Sequence, residues 1–188
     1  MTGEVRAPAG AVSPGTPGAP GGGLLRLADL LNTAVARVVV WLVPVMVVVT
    51  IMDVALRLFA GRATLWAFDA TVQFYAAHFL LLGGFTLLRG GHVGVDILRE
   101  RAGPRTGLAM DAVSWLAFFF PFAIVMVLWS WDFMLASWAI LETSPGVAAL
   151  PVYPVKTLFF AGNLLLLIQG VAEFLRVLAG GAARLKGA

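Results

Sequence analysis

The sequence predicts an all-α membrane protein of four transmembrane helices, and three observations carry that reading. Of 188 residues, 60% are hydrophobic and only 12% charged, with a mean hydropathy of +0.92, too little polar surface to cover a soluble globule. Four long apolar runs follow one another, each close to the roughly 20 residues that a helix needs to cross a hydrocarbon layer. The segments between those runs are short and carry the charges, glycines and prolines that stop a span.

Met1 to Gly23 is rich in Gly, Pro, Ala, Ser and Thr and offers no large apolar cluster to offset the entropy of ordering, so 1–23 reads as a disordered head. No apolar stretch of signal-peptide length follows a basic start before the glycine tract, and a secretory signal is not expected. From Leu24 to Ala36, the residues Leu24, Leu27, Ala28, Leu31 and Val35 recur at helical spacing, with Arg26, Asp29 and Asn32 elsewhere around the helix. That pattern suits an interfacial helix before the first span.

The membrane domain then covers 24–178. The first span is expected at about 38–56, its one charge Asp53 placed to pair with Arg57 a turn later. The second, about 64–88, opens near Asp69 and holds Gln73, Tyr75 and His78 in an otherwise apolar run; Arg62 is the cation at hand for Asp69. Arg89-Gly90-Gly91 stops it, and the following connection carries Arg99, Arg101 and Arg105 before the helix-breaking Gly103-Pro104 pair. The third span, about 110–140, is long enough to tilt or protrude, with Pro121 as a kink site and Asp132 toward its far end. After a connection from Glu142 to Pro154 without Lys or Arg, the fourth span occupies about 155–178, and 179–188 forms a short basic tail.

Basic residues near span ends resist translocation, so their distribution sets orientation. Arg6, Arg26, Arg37, the four arginines of the middle loop, Arg176, Arg184 and Lys186 share one side; Arg57, Arg62 and Lys156 take the other. This predicts a multi-pass membrane protein with both termini in the cytoplasm. Trp41 and Trp115 then fall at inner ends and Trp66, Trp129, Trp131 and Trp138 at outer ends, as aromatic belts require. A pI near 10.0 reflects these scattered arginines rather than a clustered basic face, which favours membrane lipids over nucleic acid as the basic residues' partner.

There is no cysteine, only two histidines, no glycine-rich phosphate loop and no His pair at metal spacing. No catalytic residue, cofactor or metal site is expected. His78 sits mid-span without a charged neighbour one turn away, which favours a neutral histidine hydrogen-bonded across a helix interface over a proton relay. Gln73, Asn163 and Gln169 suit hydrogen bonds between helices, and Gly83, Gly84, Gly162 and Gly170 suit close backbone approach.

Two segments hold dense, ordered polar residues. One is Arg89-Gly-Gly-His92-Val93-Gly94-Val95-Asp96 at the inner end of the second span. The other runs from Ser137-Trp138 through Glu142, Ser144 and Leu150-Pro151 to Lys156, with Gln169-Gly170 further along the fourth span. In that order the segments make the chain similar to the small, Q-type membrane subunit of tripartite ATP-independent periplasmic (TRAP) transporters, over about Leu24 to Leu178. The first departs from that family's usual His-Val-Arg-Val-Asp in having Gly94 at the arginine position.

The resemblance implies a bacterial inner-membrane location and ion-coupled uptake of an organic acid without ATP. A periplasmic substrate-binding protein delivers the acid, a large membrane subunit carries it, and the small subunit packs against the latter as static scaffold. On that reading Arg89, His92, Val93 and Asp96 shape the inner loop against lipid headgroups or the other subunit, the alternative being a solvated loop. Glu142 and Lys156 either pair to set the entry angle of the fourth helix or snorkel independently; Trp138, Ser144, Pro151, Gln169 and Gly170 complete the structural set. Two other classes stay open: a self-associating membrane scaffold and, with convergent groups such as His78, Gln73 and Asn163, a small membrane-embedded enzyme.

Overall fold

The computed structural model describes residues 23–90 and 104–186, with side chains over 23–90 and 106–180. The expected head at 1–22 and the loop residues His92, Val93, Gly94 and Asp96 lie outside the described residues. Six α-helices follow in order: α1 Gly23–Val39, α2 Leu42–Ala60, α3 Ala67–Leu88, α4 Pro104–Ser114, α5 Phe120–Ala139 and α6 Tyr153–Lys186, with a π-helical turn, Trp115–Phe119, joining α4 to α5. Among the described residues there is no strand, only an isolated bridge between Thr143 and Pro151. Four stretches are long and apolar enough to cross a membrane: Gly23–Ala60, Ala67–Leu88, Thr106–Ala139 and Tyr153–Gly180. The predicted fold class is the observed one.

α6 is the hub. It packs on α3, α5, α4 and α1, whereas α5 lies chiefly on α6 and α2 chiefly on α3. α3 and α6 run parallel, and glycine brings their backbones together. A Cβ on Gly162 would come within 2.6 Å of the Leu80 carbonyl oxygen, and one on Gly84 would lie 3.2 Å from that of Leu165 and collide with the Asn32 amide. Gly84, Gly162 and Gly170 are all buried at contacts, as the sequence suggested, while Gly83 has open space around it. With lipid tails as apolar as leucine, such close approach is a main source of attraction between membrane helices.

The interior is made of small and polar residues and the large apolar ones face outward, the reverse of a water-soluble bundle. α1 follows the same rule. Ala28, Asn32, Ala36 and Val39 are the buried residues, whereas Leu24, Leu27 and Leu31 are exposed. The apolar stripe that would mark a core face in water marks the outer face here.

α1 and α2 are separated by a two-residue turn that hydropathy did not reveal, and Pro44 explains it. Proline has no N–H, and its ring crowds the carbonyl of the residue four earlier, Val40. That carbonyl instead accepts from Val43 N (3.3 Å), a tighter turn that diverts the Val43 amide from Val39. The Val39 carbonyl is met from the neighbouring helix by His78 Nδ1, 3.2 Å away. His78 is thus hydrogen-bonded across a helix interface, in the tautomer that places the proton on Nδ1. Replacing His78 with phenylalanine is expected to cost about 1 kcal/mol of helix packing. In a Pro44→Leu background, where Val40 regains its own partner and α1–α2 straightens, the cost should shrink; a double-mutant cycle of thermal unfolding in detergent reads the difference, and an equal cost in both backgrounds would refute the link.

The third span also departs from its expected form. Ahead of Pro121 the helix widens into the π turn, which lets a proline enter an otherwise continuous helix without the ordinary turn geometry upstream. Trp115 and Phe119 from this turn pack edge to face, and Phe119 lies over Gly170, where any Cβ would strike its ring. The basic tail at 179–188 is largely a continuation of α6, which remains helical to Lys186.

Candidate functional site

Polar side chains gather in two places, one at each end of the bundle. The first, at the Arg176 end, was only partly visible in the sequence. Gln169 on α6 is fully buried and uses its amide on three partners: its oxygen accepts from Asn32 Nδ2 (2.9 Å), and its nitrogen donates to Asp29 Oδ1 (3.0 Å) and Glu173 Oε1 (3.1 Å). Arg176 closes the network, donating to Asp29 Oδ2 and to Glu173 Oε1, each at 2.6 Å. Gln169, Glu173 and Arg176 lie on one face of α6 at helical spacing. Asp29 and Asn32 reach them from α1 because Ala28 and Gly84 let that helix come close. The chemistry is structural: two carboxylates share one guanidinium and one amide, and each of the three charges has an opposite within reach.

Asp29 and Asn32 are the residues that sequence reasoning missed. Their signal was present: an acid and an amide three apart on a helix that, in lipid, turns its polar face inward.

At the Asp69 end, the connection from Ile140 to Val152 folds back over the helix tops. Ser144 N donates to Leu150 O (2.7 Å) and Val152 N to Glu142 O (2.9 Å), flanking the Thr143–Pro151 bridge. Leu141 and Ala149 both take φ of +47°, a left-handed conformation that non-glycine residues enter only where the surroundings enforce it. Three side-chain contacts enforce it. Glu142 forms an ion pair with Lys156 of α6, Ser144 Oγ donates to Asp69 Oδ2 of α3 (2.6 Å), and Trp138 Nε1 donates to Thr157 Oγ1 (2.8 Å) while its ring packs on Tyr153. The Lys156 ammonium also lies 3.7 Å from the centre of the Phe133 ring. Asp69 therefore serves the loop rather than Arg62, while Asp53 pairs with Arg57 (2.7 Å) as the spacing indicated and also accepts from Thr64.

Lys156, paired with it directly, holds the Glu142 carboxyl below the ordinary carboxylate range. A group whose folded pKa is depressed stabilises the fold above its unfolded pKa, and the contribution fades as pH falls through the folded value. The unfolding temperature of the chain should accordingly exceed that of Glu142→Gln at neutral pH, with the gap closing in acid below the normal carboxylate pKa. A gap that stays constant down to strongly acidic pH would show that the pair does not support the loop.

Of the other residues singled out from sequence, Arg89 caps α3 with its guanidinium over the Phe85 ring (5.1 Å), and His92, Val93 and Asp96 lie outside the described residues. Pro151 sits at the bridge and Gly170 beneath Phe119. Gln73, His78 and Asn163 do not assemble. Asn163 bonds back to Phe159 O of its own helix (2.9 Å), His78 meets Val39, and Gln73 Nε2 has no partner among the described residues. Among the described residues no group of three His, Cys, Asp or Glu is placed to hold a metal ion.

Residues 46–180 match a known family profile, that of "Tripartite ATP-independent periplasmic transporters, DctQ component". The chain belongs to the DctQ family. It is thus a TRAP transporter small membrane component, and the DctQ match takes in three of the four spans, most of α2 and the whole Asp69-end cluster. No curated protein and no solved structure matches the chain. The DctQ match begins after α1, so Asp29 and Asn32 belong to a part of the chain that the family profile does not reach.

Proposed function

We propose that this chain is the fixed wall of a TRAP transporter, packed against the large membrane subunit while that subunit moves an organic acid inward, coupled to an ion gradient and fed by a periplasmic binding protein. The observation that carries it is the placement of polar groups. The four spans are tied together by ion pairs and hydrogen bonds near both ends, and among the described residues no group of three His, Cys, Asp or Glu is placed to hold a metal ion. Carriers that hold ions themselves show broken helices around convergent polar groups near the midplane. Here α3 and α6 run unbroken through the bundle. Such a bundle suits bracing rather than catalysis or carriage.

In this reading the Arg176 end faces the cytoplasm with both termini, in line with the bias of Lys and Arg to that side, and the Glu142–Lys156 loop faces the periplasm. Arg89 then stands at the cytoplasmic headgroups, where its guanidinium reaches lipid phosphate.

The test is a pull-down of the tagged chain from its native membranes in mild detergent. One large, many-span protein in roughly equal amount, followed by binding-protein-dependent uptake when the two are reconstituted together, is the expected result. Elution of the chain alone, or only in multiples of itself, would overturn the reading in favour of a self-associating scaffold.

A further inference from the structure

Among the described residues one acidic side chain is left without a partner, and its depth makes it informative. Asp132 of α5 is exposed and has no hydrogen bond or ion pair among the described residues. Its depth follows from register. α5 runs antiparallel to α6, with Trp131 on Phe160 (5.2 Å), Phe133 on Phe159 (6.3 Å) and Phe120 on Phe174 (5.4 Å), which sets Asp132 opposite the turn before Phe159. α6 in turn meets α3 with Gly162 at Leu80 and Leu165 at Gly84, so that level on α6 corresponds to the neighbourhood of Ala76. Ala76 is near the middle of the 22-residue α3, whose length of about 33 Å matches a hydrocarbon layer of about 30 Å. Asp132 therefore projects from the bundle close to mid-membrane, where an ionised carboxyl facing lipid is strongly disfavoured, and Trp131 and Trp129 beside it lie deeper than the outer belt in which the sequence suggested them.

The surface around it has a pattern. Phe122, Val125, Trp129, Asp132 and Ala136 repeat at intervals of three and four, and all are exposed. This is the spacing of a helix face that packs along a second helix. A second copy of this chain pairing two-fold along that stripe would bring two Asp132 carboxylates together, a like-charge contact in a low dielectric. Lipid supplies no hydrogen-bond donor at this depth.

We infer that the Phe122–Ala136 stripe of α5 is the face on which the large membrane subunit docks, and that the large subunit presents a lysine, an arginine or a neutral hydrogen-bond donor to Asp132. The inference rests on the functional reading above and adds to it a face, a depth and the chemistry of the opposing group.

The experiment uses the full chain co-expressed with the large subunit. A photo-crosslinking residue replaces Trp129 or Val125 on the stripe or, for comparison, Val48 on the exposed surface of α2. In parallel, pull-downs are made with Asp132→Leu and Asp132→Lys. Stripe positions should crosslink to the large subunit. Asp132→Lys should lower its recovery by roughly tenfold or more, and Asp132→Leu by several-fold, the scale of an interhelical polar contact in a membrane. Because Asp132 bonds to nothing in its own chain, the isolated variants should unfold at or above the parent's temperature, which separates lost docking from lost folding. If the unaltered chain recovers the large subunit while the stripe crosslinks only to lipid, or while Asp132→Lys recovers it undiminished, the docking face is wrong and the functional reading survives. If the unaltered chain recovers no large membrane protein, both fall.

Discussion

Replacing Gln169 with leucine should lower the stability of the bundle by about 2–4 kcal/mol, the largest loss expected from any single polar substitution in the described chain. The side chain is fully buried and serves three partners at once. Without it Asn32 Nδ2 keeps only the Ala28 carbonyl, and the carboxylates of Asp29 and Glu173 are left to Arg176 alone. Leucine fills the volume, so the loss would come from polar groups stranded out of water rather than from a cavity. Asn163→Leu is the comparison, since that amide bonds only within its own helix. Unfolding of both purified variants in detergent decides the matter. Equal effects would mean that the network contributes no more than an ordinary helix-internal bond. Gln169→Glu sharpens the test: a third carboxylate beside two others should be worse than leucine at neutral pH and should recover on acidification.

The second large effect concerns Gly162. Valine there should weaken the α3–α6 contact by about 3 kcal/mol or prevent the bundle from forming, because the obstructing atoms are backbone. The Leu80 carbonyl oxygen and carbon stand 2.6 and 2.9 Å from the position of an added Cβ and cannot rotate aside. The helices would have to part along the longest contact in the molecule. Gly83, on the facing helix with nothing within 4 Å, provides the control; its valine variant should behave nearly as the parent does. If Gly162→Val and Gly83→Val unfold alike, the close approach of α3 and α6 does not hold the bundle together.

The four spans were legible because uninterrupted apolar length has one meaning in a chain this short of polar residues. Their ends shifted by a few residues where helices continue beyond the hydrocarbon, as α6 does to Lys186. Pro44 was on the page and was read through, since a proline near the start of an apolar run looks like any other apolar residue until the neighbouring carbonyl is accounted for. The two sides of α1 were legible but not what its polar side would meet: periodicity shows that a helix has two faces, and the solvent decides which is buried. In lipid, Asn32 goes in and Leu31 goes out. Within the Asp69-end cluster, Glu142 with Lys156 was foreseeable from charge. The Ser144–Asp69 contact was not, because those residues are 75 apart and only the folded loop brings them together. Gln169 was identified as a helix-joining amide, but its partners on α1 required knowing that α1 lies against α6.

The central position of α6 has a consequence for how the molecule comes into being. It leaves the ribosome after the other three spans, yet it is the one on which α1, α3, α4 and α5 all rest. Until it enters the bilayer, α5 lacks its principal neighbour, and Asp29 and Asn32 wait for Gln169 and Arg176. Insertion of the first three spans therefore cannot by itself place the third against the others: α1 and α2 already have α3 to pack on, but α5 joins the bundle chiefly through α6, and a ribosome that stops before Tyr153 leaves a packed pair of spans with a third standing apart.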